Sequence, residues 1–235
     1  MKNSVRDQKQ LDDSFDLYSQ VDFRHGERGK YAHRFGEVTR DEELAAQFLT
    51  SRGFQVVRIE EDRFAKTPDF RLLKDGQLVA YCEVKSFEQD VWLDKMLAEA
   101  QPGELAGGLR SDPIYNRVSN AIHTAARQLV SANPSHDAFN ILVIVNRDKP
   151  ARYQDLVSVI TGKWDPLAGI YDKTHGQYSE GRISKEKYEI DLYIWLDTNK
   201  DDLPKVASYF FGNFENRPKV CLLFDIDPGA VKTVA

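Results

Sequence analysis

One stretch limits the fold more than any other: TPDFRLLKDGQLVAYCEVKSF, from Thr67 to Phe87. Its two β-rich runs, Asp69–Leu73 and Leu78–Val84, flank Lys74-Asp75-Gly76, a turn signal. They predict a β-hairpin. The strands are largely apolar, yet Asp69 sits in one, and Glu83 and Lys85 in the other. Side chains two apart on a strand share a face, so Glu83 and Lys85 project together, and Cys82 and Val84 project to the other side.

Whether Asp69 joins Glu83 depends on the turn. A two-residue Asp75-Gly76 loop with regular pairing puts the two acids on opposite faces. A three-residue loop, Lys74-Asp75-Gly76 with Gly76 in a left-handed bulge, puts them on one face. The three-residue loop is the expectation. Two carboxylates and an ammonium on one apolar face then need compensation, because burial penalises each charge and paired acids raise one another's pKa. A divalent cation supplies it. Mg²⁺ takes carboxylate oxygens and waters and keeps room for a phosphate oxygen, and Mn²⁺ is expected to substitute. It would stabilise charge on a phosphodiester and lower the pKa of a bound water, with Lys85 placed to orient that water or the transition state.

The flanking sequence gives the order of elements. Residues 1–37 read as a lead-in segment. It contains a basic and aromatic run with Arg24, Arg28 and Lys30, able to track a nucleic-acid backbone. It fits a solvated surface equally well, since Glu27 and Glu37 dilute its charge. A helix follows from about Val38 to Arg52. It has a Thr39/Glu42 capping-box pattern, an apolar stripe of Leu44, Ala45, Phe48 and Leu49, and Gly53 as its stop. Phe54–Ile59 reads as a strand, then comes the hairpin, then a long connection over 88–111. A second long helix spans Pro113–Ala132, and Phe139–Val145 is a continuous apolar run expected of a buried strand. Beyond it come a helix near Tyr153–Ile160 and strands near Glu189–Leu196, Val206–Phe211 and Val220–Ile226. The chain therefore divides into 1–37, a core over 38–150, and an extension over 151–235 expected to belong to the same domain. The class is α/β with a mixed sheet.

Pro68-Asp69 followed by Glu83-Val84-Lys85, behind a helix running into Gly53-Phe54, resembles the PD-(D/E)XK nuclease superfamily. The resemblance covers about Val38 to Val145, including the α-β-β-β-α-β order. It implies a restriction-endonuclease-like fold and divalent-metal-dependent cleavage of phosphodiester bonds in DNA, an endonuclease being expected. It implies Asp69 and Glu83 as metal ligands, Lys85 as the catalytic lysine and the Val84 carbonyl as a further ligand. It also implies a glutamate from the first helix. Glu42, at the border of that helix's apolar face, is the candidate, and the capping box with Thr39 is its competing role. From the second helix the resemblance points to Gln128 first and Arg117 second, both on a polar stripe with Asn120 and Thr124. A catalytically inactive nucleic-acid-binding or interaction module on the same fold is the alternative.

Composition sets the outer limits. With 32 Lys+Arg against 37 Asp+Glu, the net charge is -5. That excludes salt-driven coating of long nucleic acids, which needs spare positive charge. It leaves local basic strips, expected around Arg24–Arg40 and beside Arg117. Two cysteines among 235 residues build neither a disulfide framework nor a metal knuckle. No apolar run approaches the ~18 residues of a membrane span, so a cytoplasmic protein with no membrane partner is expected. The 151–235 region is a candidate surface for a homodimer. The five histidines lack metal-ligand spacing.

Overall fold

Thr39 starts the first helix. Its hydroxyl accepts from the Glu42 N–H at 3.1 Å, and the Glu42 carboxylate accepts from the Thr39 N–H at 3.0 Å. Two otherwise orphaned donors are satisfied, and α1 runs over Arg40–Ser51. Gly53, at φ 83°, then turns the chain back into β1, Gln55–Arg58. The hairpin strands are β2, Phe70–Lys74, and β3, Gln77–Phe87. Helix α2, Ile114–Ala132, leads to β4, Phe139–Asn146. Then follow α3, Tyr153–Thr161, and a small separate ribbon of β5, Lys163–Asp165, and β6, Ile170–Tyr171. A short π-helical segment, Gln177–Arg182, and a 3₁₀ turn, Glu186–Tyr188, precede β7, Leu192–Asp197, and β8, Val206–Phe211. This computed structural model describes residues 38–60, 66–88, 98–101, 114–148, 150–165, 170–171, 176–198 and 206–228. All of them belong to one compact unit.

The protein is α/β, with a six-stranded mixed sheet in the order β1-β2-β3-β4-β7-β8. The central pairs β3/β4 and β4/β7 are parallel, and the outer pairs are antiparallel. Both faces are covered. On one, Ala45, Phe48 and Leu49 of α1 pack with Leu72, Cys82, Val84, Ile141 and Val143. On the other, Val118, Ile122 and Leu129 of α2 and Leu156 of α3 pack with Leu142, Ile144, Tyr193 and Trp195. Leu142, Val143 and Ile144 are fully buried, as a strand covered on both faces requires. Phe87 and Trp195 meet edge to face at 5.7 Å on the α2 side. Among the described residues no helix is long and apolar enough to cross a membrane.

One element differs in kind from expectation. Val220–Ile226 is not a strand: α4 is a helix over Arg217–Phe224. A short continuous apolar run does not by itself separate helix from buried strand. Here Pro218 lies in the first turn, where its missing N–H costs nothing, and Asp225 closes the helix at φ 52° with its N–H on the Cys221 carbonyl. Val220, Cys221 and Phe224 are buried against the α1 face, while Leu222 is 84% exposed. The expected connection over 88–111 lies outside the described residues except at 88 and 98–101.

Candidate active site

The hairpin turn is a two-residue one, not the three-residue loop expected from the sequence. Asp75 and Gly76 have φ 54° and 76°. That is the geometry of the turn whose twist matches its strands, and Asp tolerates the left-handed region. Lys74 pairs with Gln77 and Leu73 with Leu78, the register that would separate the acids. A bulge at Val79 then shifts the ladder by one, so Leu72 pairs with Ala80, Arg71 with Tyr81 and Phe70 with Cys82. Asp69, one step further, stands opposite Glu83. The parity comes from an extra residue in β3 rather than from the turn.

Glu83 and Lys85 project to the α2 side, level with Leu142 and Ile144 of β4. Lys85 Nζ donates to Glu83 Oε1 and, at 3.2 Å, to Gln128 Oε1 of α2. Gln128 Nε2 in turn donates to the Thr67 carbonyl at 3.0 Å. Asp69 Oδ2 accepts from the Val84 N–H at 2.7 Å. The N–H and C=O of one extended residue point the same way, so the Val84 carbonyl also faces the Asp69 side.

Glu83 is 1% exposed, and its Oε2 is buried with no hydrogen-bond partner among the described residues. Burial pushes the Glu83 carboxyl up to about 8. The Lys85 charge opposes the shift, the Asp69 charge adds to it, and contacts with Lys85 and Gln128 soften it. Burial also raises Asp69 to about 6. There the Val84 N–H opposes the shift, the Glu42 charge reinforces it and Lys85 lowers it. Cys82, on the opposite face, is fully buried, and burial followed by the two carboxylate charges pushes its thiol up. It is a core residue, not a nucleophile.

The donor set suits a hard cation. Asp69, Glu83 with its unsatisfied oxygen, and the Val84 carbonyl are all oxygen donors, and both carboxyls resist ionisation without a compensating charge. Among the described residues no three His, Cys, Asp or Glu side chains cluster closely enough to cage a metal. A two-carboxylate site fits Mg²⁺, which is commonly held by one or two carboxylates with waters and substrate phosphates.

The remaining candidates are placed differently. Glu42 caps α1 and lies 3.6 Å from Arg58 Nη2, so its carboxylate is engaged there, near enough to Asp69 to raise its pKa. Arg117 donates to Asp148 Oδ2 at 2.9 Å and to the Glu88 carbonyl at 3.2 Å, and it covers the Phe87 ring at 5.0 Å. Arg24, Arg28 and Lys30 lie outside the described residues. His123 pairs with Glu186 at 2.9 Å and His136 with Asp191 at 2.7 Å. Sequence reasoning missed the Thr67 carbonyl, whose main-chain role no side-chain pattern displays. Its one signal is the following Pro68, which favours extended backbone at Thr67. No family model matches this chain, and comparisons with curated proteins and with solved structures gave no significant match.

Proposed function

We propose that this chain is a divalent-metal-dependent nuclease of the PD-(D/E)XK type, with a restriction-endonuclease-like core, hydrolysing phosphodiester bonds in DNA. The observation that carries the reading is the convergence of Asp69, Glu83 and Lys85 on one face of the hairpin, with one Glu83 oxygen buried and lacking a hydrogen-bond partner among the described residues. Asp69, Glu83 and the Val84 carbonyl would hold Mg²⁺ or Mn²⁺, which when bound supplies charge neutralisation at the phosphate and acidifies a water. The Val84 N–H fixes the Asp69 carboxylate. Lys85, 25% exposed at its side chain, reaches solvent from the same face and is steered by Glu83 and Gln128. Its ammonium can orient an attacking water and stabilise negative charge building on phosphate oxygens. Gln128 ties this lysine to the chain segment that delivers Asp69.

A catalytically inactive binding module is the competing reading. It draws on Glu42, whose carboxylate is occupied by the α1 cap and Arg58, leaving two side-chain carboxylates at the site. Incubation with Mg²⁺ or Mn²⁺ and a panel of supercoiled, linear, single-stranded and branched DNAs separates the two. Cleavage that disappears in Glu83→Ala and Lys85→Ala supports the nuclease. Binding of DNA with no cleavage in either metal supports the module.

A further inference from the structure

Many cations of the described core are already spoken for. Arg58 lies beside Glu42, Arg117 on Asp148 and Arg147 on Asp41; Lys74 donates to the Leu223 carbonyl and Lys187 to Ser179. Lys66, Arg71 and Arg127 are different. All three are exposed, and among the described residues none makes an ion pair or a side-chain hydrogen bond. A cation left in water and not held in an ion pair is available to an incoming anion at little desolvation cost.

Each of the three adjoins a residue of the candidate site. Lys66 precedes Thr67, the carbonyl partner of Gln128, and Arg127 precedes Gln128 itself. The two line a shared groove of about 500 Å³ together with Ser131. Glu186, bonded to His123, and Glu189 also border that groove, and their carboxylates oppose a phosphate there. Arg71 is two residues past Asp69, on the same face of β2, paired with Tyr81 two rungs from the Asp69–Glu83 rung. The two rungs are about 7 Å apart along the strand. Three unpaired cations thus lie on segments that adjoin the paired carboxylates, in a chain whose net charge is -5.

We propose that Lys66, Arg71 and Arg127 form a phosphate track that carries a nucleic-acid backbone across the Asp69–Glu83–Lys85 site. The proposal deepens the nuclease reading and rests on it. Contacts of this kind fix the register of the backbone and read no bases, so the track holds DNA without sequence preference. It also relocates the local basic strip, away from Arg117, whose guanidinium is held by Asp148.

The test uses the full chain carrying Lys85→Ala, so that binding is measured without cleavage. Fluorescence anisotropy follows short labelled DNA, single-stranded and duplex, in Mg²⁺ across a salt series. Lys66→Ala/Arg71→Ala/Arg127→Ala is added, with Lys219→Ala, an exposed lysine on α4 at the opposite face, as control. The triple variant is expected to bind about ten-fold or more weakly near 0.1 M salt, with the log–log salt slope smaller by about 0.7 to 0.9 per lost contact. In the Lys85-containing chain the same triple change is expected to raise KM while kcat stays within a few-fold. Equal affinity for the triple and Lys219→Ala variants overturns the track; wild-type cleavage in that case leaves the nuclease reading standing. A wild-type chain that neither binds nor cuts DNA overturns both.

Discussion

Gln128 of α2 accepts from Lys85 Nζ at 3.2 Å while donating to the Thr67 carbonyl at 3.0 Å, so one amide joins a helix to both arms of the hairpin. It also contacts the Glu83 carboxyl; its role is to hold the ammonium of Lys85 at one place. Gln128→Leu keeps the volume and removes both bonds. It is expected to lower kcat by about 10- to 100-fold, as supporting contacts of active-site groups commonly do, with KM little changed. Gln128→Glu can still accept from Lys85 and should recover part of the loss, whereas a merely structural role would give equal losses for both variants. Steady-state kinetics on a cleavable DNA measures it.

Lys85 and Glu83 form a contact that is both a pair and a liability. The ammonium offsets the burial of Glu83, so removing it leaves a carboxyl that protonates more readily still. Lys85→Ala is expected to lower cleavage by at least about 10²-fold, the scale seen when one charge-stabilising donor is lost. Folding should survive, because a neutral Glu83 is cheap to bury. Equal cleavage rates in Lys85→Ala and wild type would falsify the assigned mechanism; circular dichroism on the same sample checks the fold.

The two raised carboxyls make metal-free stability depend on pH, with a sign opposite to the usual acid. Glu83 moves from 4.5 to about 8, and Asp69 from 3.8 to about 6. Between those values the folded chain binds more protons than the unfolded one, so stability falls as pH rises. In EDTA the melting temperature is expected to drop from pH 5 towards pH 8.5, with Glu83→Gln flattening most of the slope above pH 6. Mg²⁺ or Mn²⁺ competes with those protons, so its stabilising effect should grow over the same range. A flat wild-type profile in EDTA, or metal stabilisation that shrinks with pH, would count against the site.

Local patterns carried most of the sheet and its helices, because each depends on neighbours in the chain. The Thr39/Glu42 cap, the apolar stripe of α1 and the continuous run of β4 all appear where they were expected. What failed depended on details that side-chain spacing does not encode. Asp75 accepts a positive φ, so the turn closed in two residues, and Val79 supplied the shift that aligns Asp69 with Glu83. A bulge leaves no mark in an alternating pattern where Leu78, Val79 and Ala80 are all apolar. Arg117, a candidate on the polar stripe of α2, bonds Asp148, a partner 31 residues away that no local pattern displays. Gln128 was legible as a polar residue at the border of an apolar face; its bond to a carbonyl was not.

The C-terminal helix gives the clearest separation of two readings of one segment. In a strand, Val220, Leu222 and Phe224 would share one face and respond alike. In α4, Val220 and Phe224 are buried and Leu222 points to water, 84% exposed. Leu222→Lys should therefore change stability by no more than about 0.5 kcal/mol, since lysine is a good helix former on an exposed position. Val220→Lys places an ammonium among Phe54, Phe224 and their neighbours in the α1-side core. With no acid there to pair it, the cost should exceed about 3 kcal/mol, on the scale of an uncompensated buried charge. Urea titration of both variants decides the matter: equal, large losses would return this segment to the sheet, and the expected asymmetry fixes it as the helix that closes the α1 face.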